Sequence, residues 1–243
     1  MPSIGEHQHI VRSYDNELQR LLDGVARMAG LAESQLAGAI QAMVERDGEL
    51  AMRVAGGDDE VDNLDHAIND MTVRLLALRA PVADDLRLAL TTLKISSELE
   101  RVADHAKNAA KRTLVLNQMP PVPSVRAVAR MGWLVLELLK EVMDAYLARD
   151  ADRAEAVWRR DQEVDDLHSS LFRELLTYMM EDARNITPCT HLLFIAKNIE
   201  RIGDHATNIA ELTHFLVRGR SLTGERPKRD TTSEAIPEAP PGG

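Results

Sequence analysis

Apolar residues recur along this chain at alternating spacings of three and four, the period of one face of an α-helix. The clearest run is Leu192, Ile195, Ile199, Ile202, Ala206, Ile209, Thr213 and Leu216. The same phasing returns at Thr92, Ile95, Leu99, Val102, Ala106, Ala109, Thr113 and Leu116, and in a shorter run at Val61, Leu64, Ile68, Met71, Leu75 and Leu78. No segment sustains the alternation of a strand. Prolines punctuate the pattern at Pro81, at Pro120, Pro121 and Pro123, and at Pro188. Because proline disfavours a helix interior, these positions mark junctions. Asp47-Gly48 and Arg149-Asp150 add two more breaks, and Gly56-Gly57-Asp58 a weaker one that kinks or interrupts a helix.

The pattern predicts an all-α protein of six long helices at 7–46, 49–79, 83–117, 122–148, 151–182 and 188–217. Each spans about 40–60 Å at about 1.5 Å rise per residue. The halves repeat. ERVADHAKNAA at 100–110 matches ERIGDHATNIA at 200–210 in seven of eleven positions, at an offset of 100. DDEVDNL at 58–64 matches DQEVDDL at 161–167 at an offset of 103, and Arg46-Asp47 matches Arg149-Asp150 at that same offset. A repeat this sharp predicts two structurally equivalent units. They are read as a first three-helix bundle at 1–118, a second at 119–218, and a disordered tail at 219–243 rich in Pro, Gly, Ser and Thr.

Composition narrows the function. Hydrophobic residues make up 44%, charged residues 28% and aromatics only 3%, so the core is aliphatic. The net charge of −10 repels nucleic acid and anionic lipid, which argues against both as direct partners. It suits cations or basic protein surfaces. Cys189 is the single cysteine, so no intrachain disulfide forms. The start, MPSIGEHQHIVRSYDNEL, has neither the basic opening nor the apolar run of a signal peptide, and no stretch approaches a membrane span. A cytoplasmic location is expected, without membrane insertion.

The best-matched repeat positions are acidic. Glu100 and Asp104 recur as Glu200 and Asp204, and Asp58 and Asp62 as Asp161 and Asp165. Each pair is spaced i, i+4 and shares one helix face, where like charges repel. A basic side chain or a cation relieves that repulsion. At about 100° per residue, Asp204 falls nearly opposite the Ile199/Ile202 seam and Asn208 continues its stripe, while Asp62 and Asp165 flank their own seams. If the second and third helices of each half are antiparallel neighbours, these faces converge on a shallow external groove. Oxygen-rich, cysteine-free sites select hard cations such as magnesium, manganese or ferric iron, whereas zinc more often recruits His and Cys. His105 and His205 point about 100° away from the acidic stripe, toward an ion pair or interhelical hydrogen bond rather than ligation. Asn108 and Asn208 are read as ligands or as supports to ligands, and Trp133 and Trp158 as core or groove residues.

The twin segments ERVADHAKNAA and ERIGDHATNIA, each preceded by a D-x-x-x-D pair on the previous helix, resemble the PhoU family over residues 10–217. That resemblance implies two pseudo-symmetric three-helix bundles carrying multinuclear metal clusters on their surface, with iron, manganese, magnesium or zinc as the candidate metals. The matching ligands are Asp58, Asp62, Glu100 and Asp104 in one half and Asp161, Asp165, Glu200 and Asp204 in the other. Asp65 opposite His168 departs from equal halves. The resemblance further implies a negative regulator of the phosphate-starvation response and of high-affinity phosphate uptake. It would act as a non-catalytic adaptor between a phosphate ABC transporter's ATPase subunit and a sensor histidine kinase, and long helices suit a homodimer. Two readings stay open beside it. One is a carboxylate-bridged di-iron enzyme, faintly echoed by Asp165-x-x-His168. The other is a scaffold whose acidic face docks a basic partner directly.

Overall fold

In the computed structural model, residues 4–57 and 59–222 are described, with side chains from Tyr14 onward. Within these, the chain forms α1 (Ile4–Glu45), α2 (Gly48–Ala55), α3 (Asp59–Arg79), α4 (Ala83–Leu116), α5 (Val125–Ala148), α6 (Ala151–Arg159), α7 (Asp161–Glu181) and α8 (Ile186–Arg218). A 3-10 turn at Ala183–Asn185 leads into α8. The described residues contain no strand. Pro188 sits in the first turn of α8, where its missing N–H has no helical partner to lose.

Two of the six expected helices are broken at equivalent places. The second divides into α2 and α3 at Gly56-Gly57, as its glycines foreshadow. The fifth divides into α6 and α7 at Arg160, where no glycine or proline announces it. Arg160 holds that corner with its guanidinium, which donates to Glu137, Glu141 and Glu163 at 3.0, 3.2 and 3.3 Å. The Arg-Asp repeats also serve one purpose. Arg46 and Arg149 take left-handed backbone (φ 57° and 53°). The aspartates that follow cap the next helices, Asp47 accepting from the Leu50 N–H and Asp150 from those of Asp152 and Arg153.

α4 and α8 share the most extensive contact in the molecule. They run antiparallel, since His105 meets Asn198 while Glu98 meets His205. α1 packs on α4, α5 packs on α8, and α1 and α5 touch each other. These four helices make the centre. α2 and α3 cover α4 and α1 on one side, and α6 and α7 cover α8 and α5 on the other.

Every member of the Leu192–Leu216 and Thr92–Leu116 stripes is buried. The Val61–Leu78 stripe is buried at Val61, Ile68 and Leu75 but ends in an exposed Leu78. The buried apolar residues of both halves form one continuous cluster. At about 1.5–3 kcal/mol for each fully buried large aliphatic side chain, that shared interior dominates stability. Gly132 on α5 permits a close approach between the halves, because a Cβ there would lie 2.8 Å from two carbons of Ile40 on α1.

Candidate functional site

The first-half acids sit where α3 lies along α4. Glu100, Asp62, Asp65 and Asp104 are all half-buried. Burial pushes the Glu100 carboxyl above the usual range, and the charges of Asp104, Asp62 and Asp65 push it further, against a smaller opposing pull from Arg101. The structure therefore brings Asp104, Asp62 and Asp65 within electrostatic reach of Glu100. Asp104 makes a long contact to Lys107 Nζ, at 4.0 Å. Asp65 accepts one hydrogen bond from Asn69 on Oδ2, while its buried Oδ1 has no hydrogen-bond partner among the described residues. Asp58, expected as the fourth ligand, lies outside the described residues.

The second-half acids differ from the expected shallow external groove. Asp161, Asp165 and Glu200 are 3%, 5% and 6% exposed, and His168 is buried with them. Asp161 accepts from the Thr207 hydroxyl at 3.0 Å, and Glu200 accepts from Lys197 Nζ at 2.9 Å. One small residue lies at this helix contact. Gly203 stands at the position that Ala103 holds in α4, and its missing side chain lets Val164 come close enough that a Cβ would meet Val164 Cγ1 at 3.2 Å. Asp204 alone of this half stays half-buried at the surface.

As a donor set, the first half fits a hard cation in chemistry: oxygen only, mutually repelling, with an unsatisfied buried oxygen. In the second half, Asp161 and Glu200 already serve Thr207 and Lys197. Among the described residues, no three His, Cys, Asp or Glu side chains are gathered tightly enough to hold an ion as they stand.

The duplicated histidines lie on neither acidic face. They meet each other at the α4–α8 crossing, rings stacked with centroids 5.4 Å apart. His105 Nδ1 is 3.0 Å from Asn198 Oδ1, and His205 Nδ1 is 2.6 Å from Glu98 Oε2. These are the interhelical hydrogen bonds expected of them. Asn208, expected on the metal stripe, instead donates to the same Glu98 oxygen at 3.0 Å. Burial works to raise the Glu98 pKa, but the hydrogen bonds from His205 and Asn208 and the nearby Arg101 outweigh it and hold the carboxyl below its usual value. This polar junction is a feature that sequence reasoning missed; the available signal was the matched positions Glu98 and Asn198, two residues before each repeated motif.

Elsewhere, Cys189 is fully buried, and burial raises its thiol pKa, so it stays protonated. Trp158 is half-buried and donates to Glu211 at 3.0 Å. Trp133 is 47% exposed and belongs to no core. No helix among the described residues is long and apolar enough to cross a membrane.

Both repeats match the model of one family, the PhoU domain, at residues 25–113 and 128–213. The chain belongs to the PhoU family. It is 53% identical to a phosphate-specific transport system accessory protein PhoU homolog of Caulobacter vibrioides, over 93% of this chain and 99% of that one. It is 37% identical to the phosphate-specific transport system accessory protein PhoU of Escherichia coli, over 91% of this chain and 92% of that one. Among solved structures, PhoU of Pseudomonas aeruginosa superposes with a TM-score of 0.82 at 37% identity, covering 85% of this chain and all (100%) of that one. The phosphate transport system regulatory protein PhoU of Streptococcus pneumoniae gives 0.79 at 28% identity, covering 86% of this chain and 99% of that one. The all-α PhoU fold expected from the repeat is the fold observed.

Proposed function

We propose that this chain is an accessory regulator of phosphate-specific transport. One observation carries the reading: the likeness to PhoU proteins runs through both repeats and nearly the whole of the relatives' length. More finely, the protein acts as a negative regulator of the phosphate-starvation response and of high-affinity uptake. It is a non-catalytic adaptor between the ATPase subunit of a phosphate ABC transporter and a sensor histidine kinase, working as a homodimer at the inner face of the membrane. A body of long helices around one shared core supports that role, since it holds two distant surfaces in fixed relation.

Metal belongs to the same proposal. The α3–α4 face would hold a hard cation through Asp58, Asp62, Glu100 and Asp104. A second ion at Asp161, Asp165, Glu200 and Asp204 requires α7 to lift and Lys197 to release Glu200. A bound cation would neutralise the acidic face and let it meet a partner.

The test is co-purification from the native host at high and low phosphate, with proteins and metals identified together, alongside deletion of the gene. The expected result is the kinase and the transporter ATPase in the phosphate-replete sample, and an unrepressed starvation response in the deletion. A deletion that leaves the response repressed by phosphate overturns the regulatory role. Recovery of neither partner at either phosphate level overturns the adaptor role.

A further inference from the structure

Two grooves flank the His105/His205 stack, one on each side of the α4–α8 crossing, and the repeat relates them. Their linings have diverged in charge. The first, about 900 Å³, carries, among the described residues, the carboxylates Glu98 and Glu211 and a single cation, Lys94. The second, about 580 Å³, is lined by Lys111, Arg112, Lys197, Arg201 and His191, together with Asn108, and, among the described residues, by no carboxylate. The contrast arises position by position. Lys111 stands where the other groove has Glu211, Arg112 where it has Leu212, Lys197 where it has Ser97, and Asn198 where it has Glu98.

Four cations around one concavity are conspicuous in a chain of net charge −10. Lys197 is partly served by Glu200 beneath it, and Arg112 rests on the Phe194 ring at 3.9 Å. Lys111, Arg112 and Arg201 have no carboxylate partner among the described residues. His191 adds a buried Nδ1 with no hydrogen-bond partner among those residues. Like charges so arranged repel unless an anion joins them. The charged lining groups are donors, which matches phosphoryl oxygens that only accept. The volume lies in the range of small organic ligands, larger than one tetrahedral ion fills.

We propose that this groove binds a multiply charged phosphoryl anion, an oligophosphate chain standing free or carried on a nucleotide. Arg201 and Lys111 are the principal contacts, from α8 and α4 respectively, so ligand would tie the two repeats together across their junction. The site is separate from the acidic face and does not depend on metal.

The experiment is calorimetric titration of the full chain, free of divalent ions and at low salt, with tripolyphosphate, ATP, orthophosphate and poly-glutamate in separate arms. Saturable one-to-one binding of tripolyphosphate or ATP is expected, weaker binding of orthophosphate, and weakening by about tenfold or more in Arg201→Ala and in Lys111→Ala. Lys94→Ala, in the opposite groove, should bind as the parent does, and thermal melts confirm that each variant folds. Equal affinity for tripolyphosphate and ATP identifies the phosphate chain as the ligand; tighter ATP binding identifies a nucleotide. The proposal is overturned if neither anion saturates, if poly-glutamate alone binds, or if Lys94→Ala weakens binding as much as Arg201→Ala.

Discussion

The ring of His105 lies against the ring of His205, centroids 5.4 Å apart and planes 23° from parallel, so the duplicated residues of the two repeats touch each other. Burial lowers the His105 pKa first, and the charges of His205 and Arg201 lower it further, against the raising effect of the Asn198 hydrogen bond and Asp104. A histidine depressed in the fold favours its neutral form. Its contribution to stability is therefore complete above the unfolded value of 6.5 and is lost as pH falls below it through the depressed folded value. Glu98, lowered by its partners, contributes above the unfolded carboxylate value of 4.5 and fails lower still. We expect the melting temperature to fall as the pH drops below about 6.5, and His105→Gln to flatten that limb. Thermal melts of parent and variant across the range check it; parallel curves would remove His105 as the cause.

Glu100 has the opposite sign. Its raised pKa means that the charged form is penalised in the fold, mainly by burial and then by Asp104, Asp62 and Asp65. The penalty applies above the raised value and fades as the carboxyl protonates on acidification. Glu100→Gln should stabilise the metal-free protein at neutral pH by about 1–3 °C, a small figure because solvent screens a half-buried group. Millimolar magnesium or manganese should raise the melting temperature of the parent and do less for the variant. A variant less stable than the parent in chelator would show that Glu100 is held by attraction, contrary to the metal reading.

Most of the architecture could be read from the amino acids because two signals reinforced each other. The stripes through Leu99 and Ile199 fixed which faces are buried, and the doubled E-x-x-x-D segments fixed the symmetry. The break at Arg160 was not legible, since it is held by tertiary contacts to Glu137 and Glu141 rather than by a local breaker. The inward turn of Asp161, Asp165 and Glu200 was not legible either. Angle counting places a residue around its own helix but says nothing of how near the next helix lies, and here that distance depends on Gly203. The charge difference between the α4–α8 grooves was present in the sequence, yet it gained meaning only when Lys111 and Arg201 were brought to one concavity.

The two Arg-Asp corners offer a paired test of backbone strain. Arg46 and Arg149 both hold positive φ, where a Cβ costs about 1 kcal/mol relative to glycine. They differ in their side chains. Arg46 Nη2 donates to the carbonyls of Asn117 and Met119, both at 2.6 Å, and so fastens the α4–α5 loop. No such anchor is recorded for Arg149 among the described residues. Arg149→Gly should raise the melting temperature by about 2–4 °C, whereas Arg46→Gly should gain the same relief and lose more through its two charge-assisted bonds, for a net decrease. Differential scanning calorimetry of the two variants reads the difference directly. Equal shifts of either sign would mean that the loop contacts of Arg46 contribute nothing.

Gly203 sets the depth of the second acidic cluster, and enlarging it tests that assignment. A Cβ at this position meets Val164 Cγ1 at 3.2 Å, close enough that α7 must yield by a few tenths of an ångström. Gly203→Ala also gains helix propensity, about 1 kcal/mol in an open helix, so overpacking of about 1–3 kcal/mol and propensity act against each other. Net stability should therefore change little or fall slightly. Exposure is the sharper measure. If α7 lifts, Asp161 and Asp165 gain solvent, and the amides of α7 should exchange faster while those of α3 stay unchanged. Paired with Ala103→Gly in the other half, the comparison becomes reciprocal: removing that Cβ should let α3 settle onto α4 and slow exchange along α3. Unchanged exchange in both variants would show that the unequal burial of the two acidic faces has another origin than this glycine.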